Sequence, residues 1–136
     1  SQLPKQFLLL DRKPILLHSI HRFMAAIEGI HCIVALPKEH IGYVSEMLQP
    51  ADKQHIQLVE GGETRFQSVR NALALVPEGA LVGIHDAVRP LIATETIRLA
   101  YKTAEEKTSA VVVVRSKDSL RKLQSDGHSQ SVDRNM

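Results

Sequence analysis

The sequence predicts an α/β fold in which helices cover both faces of a mostly parallel sheet. Three observations predict it: short runs that are continuously apolar, intervening segments with apolar residues at helical spacing, and a regular alternation of the two along 136 residues. Strands buried on both faces read as unbroken apolar runs, which is typical of parallel sheets. The length fits one domain covering residues 1–136.

Five apolar runs are predicted to be strands, and they cover residues 7–10, 30–36, 56–59, 81–85 and 110–114. The last of these runs is strongly β-branched. Four helices are predicted between the strands. The first begins at Pro14, because proline suits the first helical position, and Gly29 closes it. The other three cover residues 37–48, 65–75 and 94–106, with Thr94 as the expected cap of the last.

The end of the sequence differs from this alternation. Residues 119–123 and 129–132 flank Asp126 and Gly127, a pair that is typical of a tight β-hairpin. A polar hairpin that follows the last core strand predicts a protruding arm over residues 116–134. A two-stranded ribbon is marginal alone in water, so we expect the arm to pack against something.

Composition narrows the possible functions. Hydrophobic residues make up 43%, charged residues 24%, and the formal charge is only +2. The sequence contains no dense Lys/Arg run and only 4% aromatic residues, so nucleic-acid binding is not expected. No apolar stretch approaches the ~20 residues of a membrane span. The single cysteine, Cys32, excludes an intrachain disulfide and is interpreted as a small core residue, with the cytoplasm as the expected compartment.

Three features follow predicted strands or turns, at positions where an open parallel sheet binds ligands. Asp86 follows the fourth strand and can hold a divalent cation or a hydroxyl; the alternative is a loop carboxylate paired with Arg89. Gly61 and Gly62 let backbone approach a ligand closely, although a plain turn explains them equally well. Lys5 can meet a phosphate as a point charge, although most lysines are simply solvated.

Taken together, these motifs resemble those of the 2-C-methyl-D-erythritol 4-phosphate cytidylyltransferase family in order and spacing, over nearly the whole chain. The resemblance depends on Pro4-Lys5-Gln6, Lys13-Pro14-Ile15-Leu16, Gly61-Gly62, Arg65, Ser68-Val69, His85-Asp86-Ala87-Val88-Arg89-Pro90, Lys117-Asp118-Ser119 and Asp133-Arg134-Asn135. The combination of Pro4-Lys5-Gln6 with the motif at residues 85–90 is specific to such enzymes. The resemblance implies a Rossmann-like nucleotidyltransferase fold.

The resemblance also implies a reaction. CTP and a sugar-alcohol phosphate give a CDP-alcohol and pyrophosphate, with Mg²⁺ as the cofactor. Such a reaction needs positioning and neutralisation of charge on the α-phosphoryl oxygens. Lys5 matches the family lysine that stabilises this transition state, and Asp86 matches the aspartate near the metal and the substrate hydroxyls.

The remaining site residues are also implied by the resemblance. The segment that reads cytosine, largely through its backbone, matches Gly61, Gly62, Glu63 and Ser68. Ala87 lies within the substrate-binding motif. The groups that hold the incoming phosphate match Arg89, Ser119 and Arg134, with the arm reaching across a homodimer.

The sequence departs from the family pattern in a few places. The family's first strand, a glycine-rich loop and a second cation are expected before residue 1, and further segments with a lysine are expected after residue 136. Ser119 stands where the family usually has threonine, and serine keeps the hydroxyl. Two alternatives stay open: a ribitol 5-phosphate cytidylyltransferase, which shares two of the motifs, and a catalytically inactive nucleotide-binding or dimerisation module.

Overall fold

The computed structural model describes residues 4–115, 117 and 119–133. A 3₁₀ turn, Lys5–Phe7, precedes the other elements. The strands are β1 Leu9–Leu10, β2 Lys13–Pro14, β3 Cys32–Leu36, β4 Ile56–Glu60, β5 Arg121–Leu123 and β6 Ser129–Ser131. The helices are α1 Ile15–Ala26, α2 Lys38–Met47, α3 Pro50–Lys53, α4 Arg65–Leu73 and α5 Thr94–Lys107. The helices predicted from the sequence are therefore confirmed, with an additional short one at α3.

The centre of the fold is the parallel pair of β3 and β4, which are joined in register from Cys32↔Ile56 to Leu36↔Glu60. Parallel strands need a crossover connection, and α2 with α3 provides it. The core around this pair is well filled: Phe7 and Val44 are completely buried, and Leu16 and Leu36 are nearly so. This core places the carboxyl ends of both strands side by side.

The chain enters this core through a hairpin and a helix. β1 and β2 pair across a two-residue turn, Asp11 and Arg12, in which both residues have positive φ. Such a turn matches the twist of the strands, although glycine or asparagine is its usual occupant. α1 then runs to Ala26, and Gly29 follows with φ +69°, as its predicted closing role requires.

The predictions of strands at 81–85 and 110–114 are wrong, because no described strand pairs with either segment. Residues of the first segment and of β3 both line a cleft of about 1180 Å³. The segment is held instead by α5, since the Tyr101 hydroxyl hydrogen-bonds the backbone at Gly83. Valines 111–114 are exposed, from 55% to 91%. Strand propensity is expressed only where a neighbouring strand supplies a hydrogen-bond ladder.

The predicted cap at Thr94 is also wrong. Ala93 is the N-cap residue of α5, and Thr94 is the first helical residue, with its hydroxyl donating to the Glu95 carboxylate at 3.0 Å.

α5 packs on α1 through Arg98. Its guanidinium donates to the carbonyls of Ala26 at 2.9 Å and Ala25 at 3.0 Å, which satisfies the last turn of α1.

The predicted hairpin is confirmed as the antiparallel pair of β5 and β6. Gly127 adopts φ +84° in the turn, and the amide of His128 donates to Asp126 Oδ1 at 2.9 Å. Every described residue of the ribbon is exposed. Within the described ranges, no helix is both long and apolar enough to cross a membrane.

Candidate functional site

The first part of the candidate site is the loop that leaves β4. The Gly61 amide donates to the carbonyl of Leu36 at the end of β3, at 2.8 Å, and the Gly62 amide donates to Ser68 Oγ at 3.0 Å. Glycine is needed at position 62, because a Cβ there would lie 2.2 Å from the Cβ of Gln67. Glu63 is exposed at the tip of the loop. The backbone of residues 61–63 is therefore fixed and accessible to a ligand.

A capping box holds this loop against α4. Thr64 Oγ1 accepts from the Gln67 amide at 3.2 Å, and Gln67 Oε1 accepts from the Thr64 amide at 3.0 Å. Ser68 Oγ also donates to the Thr64 carbonyl at 3.0 Å. The loop is thus tied to the first turn of a helix, whose amide groups and dipole favour negative charge.

The second part of the site is the loop of residues 85–90. Asp86 accepts from two arginines: Arg65 Nη2 donates to Oδ1 at 3.0 Å, and Arg89 Nε donates to Oδ2 at 2.9 Å. These hydrogen bonds, first from Arg65 and then from Arg89, lower the pKa of the Asp86 carboxyl from its usual value. The pairing with Arg89 is the alternative that the sequence left open. The three side chains together carry one net positive charge.

Side-chain contacts fix the backbone beside Asp86. Ser19 of α1, which is 3% exposed, donates its hydroxyl to the carbonyl of Ala87 at 2.7 Å. His85 Nε2 donates to the carbonyl of Arg89 at 3.1 Å, and its ring packs on Phe23. These contacts hold the loop to α1, so Asp86 is presented by a supported backbone.

The structure brings two of the three predicted motifs together. The Arg65–Asp86 contact joins the loop that follows β4 to the 85–90 loop, so the two motifs lie close together as predicted, although no described strand leads into Asp86. Lys5 is exposed, and Phe7, two residues later, belongs to the same core cluster as Leu36, with Ala87 packed against it. No described hydrogen bond or ion pair joins Lys5 to Asp86.

The arm residues are not placed at this site by the structure. Ser119 is exposed just before β5 and is not among the described residues that line the cleft. Arg134 lies outside the described residues, as does Asp118. The predicted roles of Ser119 and Arg134 therefore stay predictions.

A resident metal does not fit the described residues. No group of three or more His, Cys, Asp and Glu side chains that could hold a metal ion occurs among residues 4–115, 117 and 119–133. Both oxygens of Asp86 face a guanidinium group, and a divalent cation there would be repelled by two positive charges. Mg²⁺ commonly binds through one or two carboxylates together with substrate phosphates.

Sequence reasoning missed two residues that shape the site. Arg65 belongs to a motif that was noticed, but no contact was assigned to it; only the fold shows that its side chain reaches Asp86, 21 residues later. Ser19 carried no signal, because one serine in an apolar helix face is unremarkable until the Ala87 carbonyl is found beside it. Cys32, expected in the core, is half-buried, and burial raises the pKa of its thiol.

These features define a class of protein: an α/β protein in which a glycine-containing loop at the end of a parallel strand meets an arginine-flanked carboxylate. Comparison with known proteins gives the family. Residues 1–136 match the family of 2-C-methyl-D-erythritol 4-phosphate cytidylyltransferases. The chain belongs to this family, whose members are nucleotidyltransferases.

Individual relatives agree with this assignment. The chain is 42% identical over 132 residues to the 2-C-methyl-D-erythritol 4-phosphate cytidylyltransferase of Porphyromonas gingivalis, covering 96% of this chain and 58% of that protein. It is 40% identical over 135 residues to the protein of the same name from Bacteroides thetaiotaomicron, covering 98% and 61%.

Solved structures show the fold. The 4-diphosphocytidyl-2C-methyl-D-erythritol synthase of Anaerococcus prevotii superimposes with a TM-score of 0.83 at 23% identity, over 96% of this chain and 60% of that chain. The Francisella tularensis 2-C-methyl-D-erythritol 4-phosphate cytidylyltransferase superimposes with a TM-score of 0.72 at 26% identity, over 96% and 60%. The predicted Rossmann-like α/β fold is confirmed, and the chain spans about three fifths of these relatives.

Proposed function

We propose that the full-length gene product transfers a cytidylyl group from CTP to 2-C-methyl-D-erythritol 4-phosphate, giving the CDP-alcohol and pyrophosphate. One observation carries the proposal: the glycine loop and the arginine-flanked carboxylate meet through the 3.0 Å contact between Arg65 and Asp86. Family membership and the names of the relatives support the choice of substrates. No described feature favours ribitol 5-phosphate as the acceptor.

The reaction is an in-line displacement. An oxygen of the acceptor phosphate attacks the α-phosphorus of CTP, the new P–O bond forms, and the bond to pyrophosphate breaks. The protein's work is to position both phosphates and to stabilise the charge on the equatorial oxygens. The fixed backbone of residues 61–63 and Ser68 would hold cytosine, and Arg89 would hold the acceptor phosphate beside Ala87.

Three further roles in this proposal come from the family resemblance. Lys5 would stabilise charge at the α-phosphate. Ser119 and Arg134 would help to hold the acceptor phosphate. Mg²⁺ enters with CTP as the counter-ion of the triphosphate, and coordination by Asp86 stays a prediction, because it requires an arginine to release one carboxylate oxygen.

Lys5 gives the test of the activity. A cation at the α-phosphate acts mainly on the transition state, so its loss lowers kcat more than it weakens CTP binding. In the full-length enzyme, Lys5→Ala should lose ~100-fold in kcat, by analogy with removing one preorganised donor. Turnover is measured as CTP-dependent pyrophosphate release with the methylerythritol and ribitol phosphates in parallel.

Lys102→Ala is the matched control, because Lys102 is an exposed lysine on α5 that pairs only loosely with Glu106, at 3.9 Å. It should keep normal turnover. A Lys5→Ala enzyme as active as this control would remove the proposed role of Lys5. If the unaltered full-length protein binds CTP by calorimetry but turns over neither acceptor, the inactive nucleotide-binding module is the correct alternative.

We also propose a cytoplasmic homodimer in which the arm of residues 116–134 completes the partner's site. The described part of the arm supports this, because the β5–β6 ribbon is exposed along its whole length, with Leu123 75% exposed. Arg134 would then grip the acceptor phosphate bidentately, which lysine cannot mimic.

Subunit mixing tests the arm. An inactive Arg134→Ala protein and an inactive Lys5→Ala protein are combined and allowed to exchange subunits. If Arg134 serves the neighbouring site, some mixed dimers carry both lesions in one site and leave the other intact, so activity returns. Continued inactivity, with exchange demonstrated by an independent label, would show that each chain uses its own arm or none.

A further inference from the structure

Asp86 is the one described carboxylate at the site whose two oxygens are both engaged by arginine. Its partners come from different segments: Arg65 is the first residue of α4, directly after the glycine loop, whereas Arg89 belongs to the same loop as Asp86. The Asp86 side chain is 37% exposed, so the carboxylate is accessible but already paired. Its geometry is that of a bridge between two guanidinium groups.

The bridge leaves Arg89 oriented for an anion. Arg89 uses Nε toward Asp86 Oδ2, at 2.9 Å, and its backbone amide donates to the Asp86 carbonyl at 3.1 Å. A guanidinium that is bound through Nε still has an outer edge formed by its two terminal amino groups. This edge can donate two parallel hydrogen bonds to a phosphate. Asp86 therefore fixes the direction in which the Arg89 fork points.

We propose that Arg65 is a positioning residue: by holding Oδ1 of Asp86 it fixes the carboxylate that orients Arg89, and so couples the loop of residues 61–63 to the loop of residues 85–90. The inference rests on the proposed function, since it concerns how the same site aligns two phosphates. Arg65 need not touch either substrate. Its effect reaches the acceptor phosphate through Asp86 and Arg89.

The expected effects on stability and on reaction rate distinguish this role from a structural one. Arg65 and Arg89 are 70% and 73% exposed, and ion pairs between such exposed side chains contribute little to stability. A misplacement of about 1 Å in a phosphoryl-transfer site, however, can cost up to ~100-fold in rate. Loss of Arg65 should therefore lower activity while leaving the melting temperature nearly unchanged.

A double-mutant cycle in the full-length enzyme tests the proposal. The variants are Arg65→Gln, Asp86→Asn and the double variant, with Arg70→Gln as the control, because Arg70 is an exposed arginine on the same helix. We expect Arg65→Gln to lower kcat/KM for the acceptor phosphate ~10-fold. The Kd of CTP should stay within ~2-fold and the Tm should match that of the control. In the Asp86→Asn background, removing Arg65 should change kcat/KM less than ~2-fold.

Each other outcome overturns the proposal in a distinct way. The same ~10-fold loss in both backgrounds would mean that Arg65 acts on a substrate directly, without Asp86. Activity equal to that of Arg70→Gln would mean that Arg65 has no role. A higher Mg²⁺ requirement in Asp86→Asn, with Arg65→Gln unaffected, would make Asp86 a metal ligand instead of a bridge.

Failure of the proposed function would be visible separately. If the unaltered protein does not turn over, it and the four variants are titrated by calorimetry with 2-C-methyl-D-erythritol 4-phosphate in the presence of CTP. An acceptor affinity that is weaker in Arg65→Gln than in the unaltered protein, with no such difference in the Asp86→Asn background, would support the positioning role even without turnover. Equal measurable affinities in all five proteins would contradict the positioning role.

Discussion

Apolar runs of similar composition behave differently in two regions of the molecule. In the first region, β4 pairs with all five residues of β3, and the core cluster around the pair contains Phe7, Val44 and Leu36, each no more than 3% exposed. The second region comprises residues 81–84, which line a cleft of about 1180 Å³, and residues 110–114, which are exposed. Only the first region forms a parallel sheet.

The difference shows what makes an apolar run a strand. Residues 32–36 and 56–60 meet one another and exchange backbone hydrogen bonds, whereas no described strand pairs with residues 81–85 or 110–114. β-propensity measures how well side chains fit a pleated, half-buried surface, so it has no effect where that surface is missing. The same apolar residues then remain exposed: Ile84 is 57% exposed and Val113 is 79% exposed.

The comparison can be broken by removing the same two methyl groups from a paired run and from an unpaired run. In the 136-residue chain, Val34→Ala in β3 should lower the free energy of unfolding by about 2–3 kcal/mol, because Val34 is only 8% exposed and both the lost transfer energy and the cavity contribute. Val113→Ala should change it by less than about 0.5 kcal/mol. Urea unfolding of both variants measures the two values.

The Val113→Ala variant tests whether the 110–114 run is exposed in solution. A loss above about 1 kcal/mol for Val113→Ala would mean that the 110–114 run is covered in solution, although it is exposed in the structure.

Much of the fold could be predicted from local patterns. The α1, α2, α4 and α5 helices follow from apolar spacing, proline at helix starts and Gly29 at a helix end. The turn at Asp126 and Gly127 could be predicted equally well from its residue pair. The two wrong strands at 81–85 and 110–114 were not avoidable by the same means, because pairing is a property of neighbours that a run of valines does not encode.

The candidate site was predictable in part for a similar reason. Gly61, Gly62 and Asp86 were found because they follow apolar runs, and strand ends are where α/β sheets bind ligands. The Arg65–Asp86 contact was not, since it links side chains that are 21 residues apart and depends on how α4 packs beside the cleft. Sequence spacing suggested only the local partner of Asp86, Arg89, three residues away.

Alanine substitutions at three glycines test whether the close packing of the β3–β4 core extends to the loop that follows β4. A Cβ on Gly62 would lie 2.2 Å from the Cβ of Gln67, which the capping box with Thr64 holds in place. Gly62→Ala must therefore shift the loop or open the cap, and should cost about 1–2 kcal/mol of unfolding free energy. Gly61→Ala should cost less than about 1 kcal/mol, because its new Cβ meets the Ser68 hydroxyl at 3.0 Å, a contact that a small movement relieves.

The matched control should change the unfolding free energy in the opposite direction. Gly42 lies inside α2, and a Cβ there meets nothing within 4 Å, so Gly42→Ala should raise the unfolding free energy by about 0.5–1 kcal/mol through helix propensity. Urea unfolding of the three variants should therefore rank them Gly42→Ala, Gly61→Ala, Gly62→Ala from most to least stable. A Gly62→Ala protein as stable as the unaltered chain would show that the loop is not tightly packed against Gln67.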